Sequence, residues 1–184
     1  MVGDVCVDGP IHSIDGGPSS TLLAEAKKLA AAAGSDKCVI SFVGITCPFA
    51  RAYALKDLWN AKGSSGVPTL HVYIREAEPC DVFDAGGMHI TSPLAMRRMV
   101  PSHQNLEERA LVAQETRKLF EEWEGKDAVN MWMDSMDDQL EAAYEARPWR
   151  QYVMDAGTST VIAKLGLAPF NMDGKCKVIK DALA

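Results

Sequence analysis

The chain has 184 residues, 47% of them apolar, enough for one sizeable core and short for two, so a single domain over residues 1–184 is expected. Its formal charge of -6, with basic side chains scattered among acids, leaves no basic stripe to grip nucleic acid or an acidic membrane surface. No run approaches the roughly 18 apolar residues of a membrane span, and Met1-Val-Gly-Asp opens neither a basic region nor an apolar signal core, so a soluble protein is expected.

Residues 1–18 are rich in Gly, Pro and Asp and read as loops around a short strand or hairpin. Leu22, Leu23, Ala26, Leu29, Ala30 and Ala33 then recur at helical spacing, and Gly34-Ser35 ends that helix. Residues 39–43 form the first central strand. Cys47 follows it directly before Pro48, a residue favoured at the first helical position, so a helix is expected from about residue 48 to 61. A thiol at that junction meets free backbone N–H groups and the positive end of the helix dipole, which favour the thiolate.

Gly63-Ser-Ser-Gly66 is a turn, and residues 69–74 read as a second central strand. On it Leu70, Val72 and Ile74 share one face, and His71 and Tyr73 the other. The irregular stretch 78–104 has the length of a functional loop. Asn105 followed by Glu108 caps a helix from Leu106 to about residue 123. A strand at 129–133, a short helix at 138–146, strands at 151–154 and 158–163, and a last helix over about 172–183 complete an α/β plan with a mixed sheet. The thioredoxin-like fold has this order, with its active cysteine after the first central strand, where Cys47 stands.

The five cysteines, Cys6, Cys38, Cys47, Cys80 and Cys176, are odd in number and form no C-x-x-C pair, so neither a disulfide framework nor a zinc site is indicated. Reduced thiols in a reducing intracellular compartment, cytosol or organelle, are the expectation. Asp134, Asp137 and Asp138 match no calcium-loop spacing and suit caps of the helix that follows them. No metal and no organic cofactor is therefore expected.

Five blocks carry a resemblance. They are Thr46-Cys47-Pro48-Phe49, Tyr73-Ile-Arg-Glu76-Ala-Glu78-Pro-Cys80-Asp81, Val100-Pro-Ser-His103-Gln-Asn-Leu-Glu-Glu-Arg109, Met133-Asp-Ser-Met136-Asp137 and Ala143-Tyr144-Glu-Ala-Arg-Pro-Trp-Arg150. In this order they resemble the iodothyronine deiodinase family and its soluble, thioredoxin-like relatives. The resemblance implies that Cys47 takes the place of the family's selenocysteine or cysteine nucleophile, with Thr46 beside it. It also implies that Tyr73 and Glu76 relay a proton to the ring carbon that loses halogen, and that His103 and Arg150 grip the polar ends of an aromatic substrate. The family's histidine is replaced here by Glu78, its second proline after the active position is absent, and Ile45 stands where some members have a cysteine. Cys80 is the candidate resolving thiol, since it leaves the neighbouring strand.

These readings converge on a thiol oxidoreductase that dehalogenates an iodinated phenol or reduces a peroxide, with electrons from an external thiol reductant. The peroxiredoxin signature itself fails, because Thr46 adjoins Cys47 instead of standing two residues away. The competing expectation, motivated by Glu78, is an accessory or structural subunit docked to a larger protein complex or a homo-oligomer.

Overall fold

Side chains alternate across a strand with period two, and in this protein that alternation sorts the central strands into two cores. The computed structural model describes residues 2–47, 68–82, 100–124, 129–166 and 172–183. Among them the strands are β1 (Pro10–Ser13), β2 (Ser20–Thr21), β3 (Lys37–Val43), β4 (Thr69–Tyr73), β5 (Met131–Asp134), β6 (Arg150–Asp155) and β7 (Val161–Leu165). The helices are α1 (Leu22–Ala32), α2 (Leu106–Glu124), α3 (Gln139–Ala143) and α4 (Met172–Leu183).

The strands make one seven-stranded sheet in the order β2-β1-β5-β4-β3-β6-β7. β3, β4 and β5 run parallel at its centre, and antiparallel pairs flank them on both sides. Cys38, Ile40 and Phe42 of β3, Leu70 and Val72 of β4 and Tyr152 and Met154 of β6 pack with Leu22, Ala26 and Ala30 of α1. Val39 and Val43, Tyr73, Met131 and Met133, and Val153 face the other way, against Ala113 and Phe120 of α2 and Ile179 of α4. Each fully buried large apolar side chain contributes roughly 1.5–3 kcal/mol, so both layers are needed to hold the sheet. The result is the mixed α/β, thioredoxin-like architecture expected from the element order.

The helix ends show why the chain turns where it does. Thr21 caps α1 through Ala24 N–H, and Gly34, at φ +62°, lets Gly34 and Ser35 donate back to Ala31 and Ala30. Asn105 accepts from Glu108 N–H while the Glu108 carboxylate accepts from Gln104 N–H, the capping arrangement read from the sequence. The short helix is shorter than expected, Gln139–Ala143, and Asp138 does not cap it: Asp134 does, accepting from Ser135, Leu140 and Glu141 N–H. Asp138 is drawn away by two arginines. The last hairpin strand starts at Val161 rather than 158, because Asp155 captures Thr158 N–H and Oγ1 in the turn and Ser159 sits at φ +59°. The helix expected at 48–61 lies outside the described residues, as do 83–99 of the loop at 78–104.

Candidate active site

The turn after β3 is organised around the Glu76 carboxylate. One oxygen, Oε2, accepts from Thr46 N–H at 2.7 Å, and the other, Oε1, accepts from Ile45 N–H at 3.2 Å and from the Tyr73 hydroxyl. A β-carbon on Gly44 would stand 3.4 Å from both Arg75 O and Glu76 Oε2, so the carboxylate packs directly against the turn. Thr46 Oγ1 in turn accepts from Glu78 N–H at 3.1 Å, tying the segment after β4 to the same turn. Glu76 is 3% exposed, and these bonds are what make burying a carboxylate tolerable.

Cys47 ends this turn, its N–H donating to Gly44 O at 3.2 Å. Its side chain has no exposed surface and lies in the core layer that contains Val43, Tyr73, Ala77 and Trp149. A reagent reaches the sulfur only when its covering moves. Thr46 on the turn, Tyr73 at the end of β4, and Glu76 and Glu78 on the segment after it are thus brought together beside Cys47.

Beyond Glu76 opens a cleft of about 340 Å³, lined among others by Arg75, His103, Arg109, Asp138 and Arg147. Its wall is held by Cys80 N–H donating to Val100 O at 2.9 Å and by Asp81, which accepts from Ser102 N–H and Oγ. Cys80 itself is half-buried. The His103 ring stands 5.8 Å from that of Tyr73, and both its nitrogens are buried without a hydrogen-bond partner among the described residues. Burial, and then the neighbouring Arg109, press its pKa from 6.5 down to about 4, so at neutral pH it is an uncharged imidazole.

Arg109 is 2% exposed and holds the floor of the cleft. It donates to the carbonyls of Asp134 (3.2 Å) and Ser135 (2.8 Å) and to Asp138 Oδ1 (2.9 Å). Arg75 donates to Glu141 at 2.7 Å and lies 3.6 Å from Asp138 Oδ2. Burial raises the pKa of Glu141, and Arg75 opposes that rise. Arg147 donates to Ala77 O, at 2.9 Å.

The structure does not bring Arg150 to this cleft. It shares the face of Phe42 and Tyr152 on β6, donates to Glu145 O at 2.5 Å, and its guanidinium fills the space that a β-carbon on Gly166 would take. Arg75, Arg109 and Arg147 were not singled out from the sequence, and Asp138 was read there only as a helix cap. The three arginines all lie inside blocks that carry the resemblance, but nothing in a linear pattern separates a cleft arginine from a solvated one.

The iodothyronine deiodinase family model matches residues 15–179. The chain belongs to the iodothyronine deiodinase family. Among solved structures it is similar to a thioredoxin-like protein from Aeropyrum pernix, at 18% identity and TM-score 0.55 over 95% of this chain and 89% of that one. It is likewise similar to the thioredoxin domain of a thiol-disulfide oxidoreductase from Bacteroides vulgatus, at 12% identity and TM-score 0.55 over 100% and 99% of the two chains. At such identities the likeness establishes the thioredoxin-like fold. No curated protein matches the chain. Among the described residues no helix of this deiodinase-family chain is long and apolar enough to cross a membrane, and no three His, Cys, Asp or Glu side chains are grouped to hold a metal ion.

Proposed function

We propose that this deiodinase-family protein is a thiol-dependent oxidoreductase that removes iodine from an iodinated phenol, with Cys47 as its nucleophile. The observation that carries the reading is the Glu76 carboxylate, bonded at once to the Tyr73 hydroxyl and to the amides of the turn that ends in Cys47. In the first step the Cys47 thiolate attacks iodine, an S–I bond forms, and the C–I bond breaks with its electron pair left on the ring carbon. That carbon takes a proton relayed through Tyr73 and Glu76. An external thiolate then attacks the sulfenyl iodide sulfur, iodide leaves, and a mixed disulfide forms. A second thiol reduces it and restores Cys47, with Cys80 as the alternative resolving thiol. His103, neutral and against Tyr73, serves as a hydrogen-bond partner for the bound phenol and not as a cation.

Iodide release from an iodinated phenol in the presence of dithiothreitol tests this, with Cys47→Ser as the control. Release by the parent and none by the variant is expected. Consumption of a peroxide with no iodide release would replace the halide by a peroxide oxygen as the electrophile. Neither activity, in folded protein, would leave the accessory-subunit reading.

A further inference from the structure

His103 lines the cleft with both ring nitrogens buried and neither hydrogen-bonded among the described residues. A neutral imidazole carries one donor and one acceptor and an imidazolium two donors, so its charge state decides whether it can accept a bond from a hydroxyl. No bond to the ring sets that state, which leaves it to the surrounding charges. On α2 these are Glu108 and Arg109, before α3 Asp138, and along the rest of the cleft Arg75, Glu76 and Arg147. Most are engaged elsewhere. Glu76 is bonded to Tyr73 and two amides, Glu108 to Gln104 N–H and Asn105, Arg75 to Glu141, and Arg147 to the Ala77 carbonyl. Arg109 and Asp138 remain as the pair on the floor, 2.9 Å apart.

Arg109 acts on His103 in two ways. Its guanidinium, 2% exposed and fixed by the Asp134 and Ser135 carbonyls, is poorly screened by water and opposes a second cation in the cleft. It also covers Asp138, the carboxylate that would otherwise draw a proton onto the imidazole. The start of α2, just beyond His103, adds free amides that disfavour a cation there. Burial is the largest cause of the depressed His103 pKa and Arg109 the next, with Glu108 and Asp138 opposing them. We infer that Arg109 is a positioning residue that acts through His103, keeping the imidazole uncharged so that one ring nitrogen accepts the hydroxyl of the bound phenol. This deepens the proposed function by naming what sets the state of its phenol-binding histidine, and it rests on that reading.

The test is an NMR titration of the histidine rings in the full chain without substrate, the His103 signal being assigned by its loss in His103→Gln. The His103 midpoint should lie at about 4 in the parent and about one unit or more higher in Arg109→Gln, a tenfold gain in proton affinity. Arg109→Lys, which keeps the charge and loses the fork, should titrate close to the parent. Asp138→Asn, which keeps Arg109 and leaves its charge uncovered, should titrate below it. In iodide release, Arg109→Gln should lose turnover on the acid side of its raised midpoint and regain it on the alkaline side, whereas a merely structural Arg109 would depress turnover at every pH alike. An unmoved midpoint in folded Arg109→Gln, or an Arg109→Lys that titrates with Arg109→Gln, would overturn the inference. If Arg109→Gln does not fold, Asp138→Asn decides, and a midpoint unmoved or raised there overturns it. Its failure is separable from that of the enzymatic reading, because the titration needs no turnover. Iodide release with an unmoved midpoint would remove the role of Arg109 and keep the enzyme, and a shifted midpoint without iodide release from the parent would do the reverse.

Discussion

The face of the sheet against α1 and the face against α2 are made by the same strands and are composed differently. Against α1, Ile40, Phe42, Leu70, Val72 and Ile74 are apolar and fully buried. Phe42, Tyr144 and Tyr152 form a ring cluster with centroids 4.9, 5.0 and 6.1 Å apart, the two tyrosine hydroxyls discharged onto the carbonyls of Val7 and Tyr144. Against α2, the same strands insert Ser41, His71 and Gln151 between their apolar residues, all buried, with Gln151 donating to Ser41 at 3.0 Å. Tyr73 and Cys47 belong to that second layer. Buried polar groups cost stability unless paired, and along β3 and β4 they fall on the α2 face, which leaves Cys38, Ile40, Phe42, Leu70 and Val72 as an apolar layer toward α1. Stability is concentrated on the α1 side and chemistry on the α2 side.

This division makes the largest expected effect a stability effect. Phe42→Ala removes a buried ring from the α1 side and should cost about 3–5 kcal/mol in urea unfolding, in line with other buried Phe truncations. Iodide release per folded molecule should be unchanged. A specific activity that fell with the population held constant would mean the two faces are not separable.

Tyr73→Phe is the converse experiment. It takes a hydroxyl from the Glu76 carboxylate and leaves the two amides in place, so it should cost only about 1 kcal/mol of stability. Turnover should fall by roughly 10²- to 10⁴-fold, the usual value of a placed proton donor. A variant as active as the parent would show that the ring carbon takes its proton by another route.

The third expectation is a pH effect. Folded His103 stays neutral down to about 4, whereas the unfolded chain protonates it near 6.5. The unfolded state therefore binds more protons across that window, and stability present above pH 6.5 is lost as pH falls toward 4. His103→Gln removes this contribution. Melting curves of parent and variant should run parallel above pH 7 and move in the variant's favour between 6.5 and 4. Curves parallel throughout would mean His103 is not held neutral by its surroundings.

The smallest effect compares two helix ends. α1 closes with Gly34 at φ +62°, and α3 closes with the same pair of backbone bonds around Glu145 at φ +48°. A side chain in the left-handed region costs about 1–2 kcal/mol, so Glu145→Gly should stabilise the fold by up to about 1 kcal/mol after loss of the exposed Lys164 contact. A lower melting temperature would show that this contact outweighs the backbone strain.

The sequence by itself determined the sheet's two faces, because alternation along residues 39–43 and 69–74 has only one period and either face of each strand must be covered. It determined the helix stop at Gly34 and the cap at Asn105, which act through neighbours a few residues away, and it carried the blocks that place the chain in its family. Tertiary structure alone decided what depends on distant segments. Asp134 rather than Asp138 caps α3, because Arg75 and Arg109, from two other segments, draw Asp138 to themselves. Arg147 reaches the cleft and Arg150 does not, although only two residues separate them, because Arg150 has already entered β6, where alternation turns it to the α1 face, while Arg147 still lies in the loop before it. Local pattern sets which way a strand residue points, but only the assembled sheet says which groups stand opposite it.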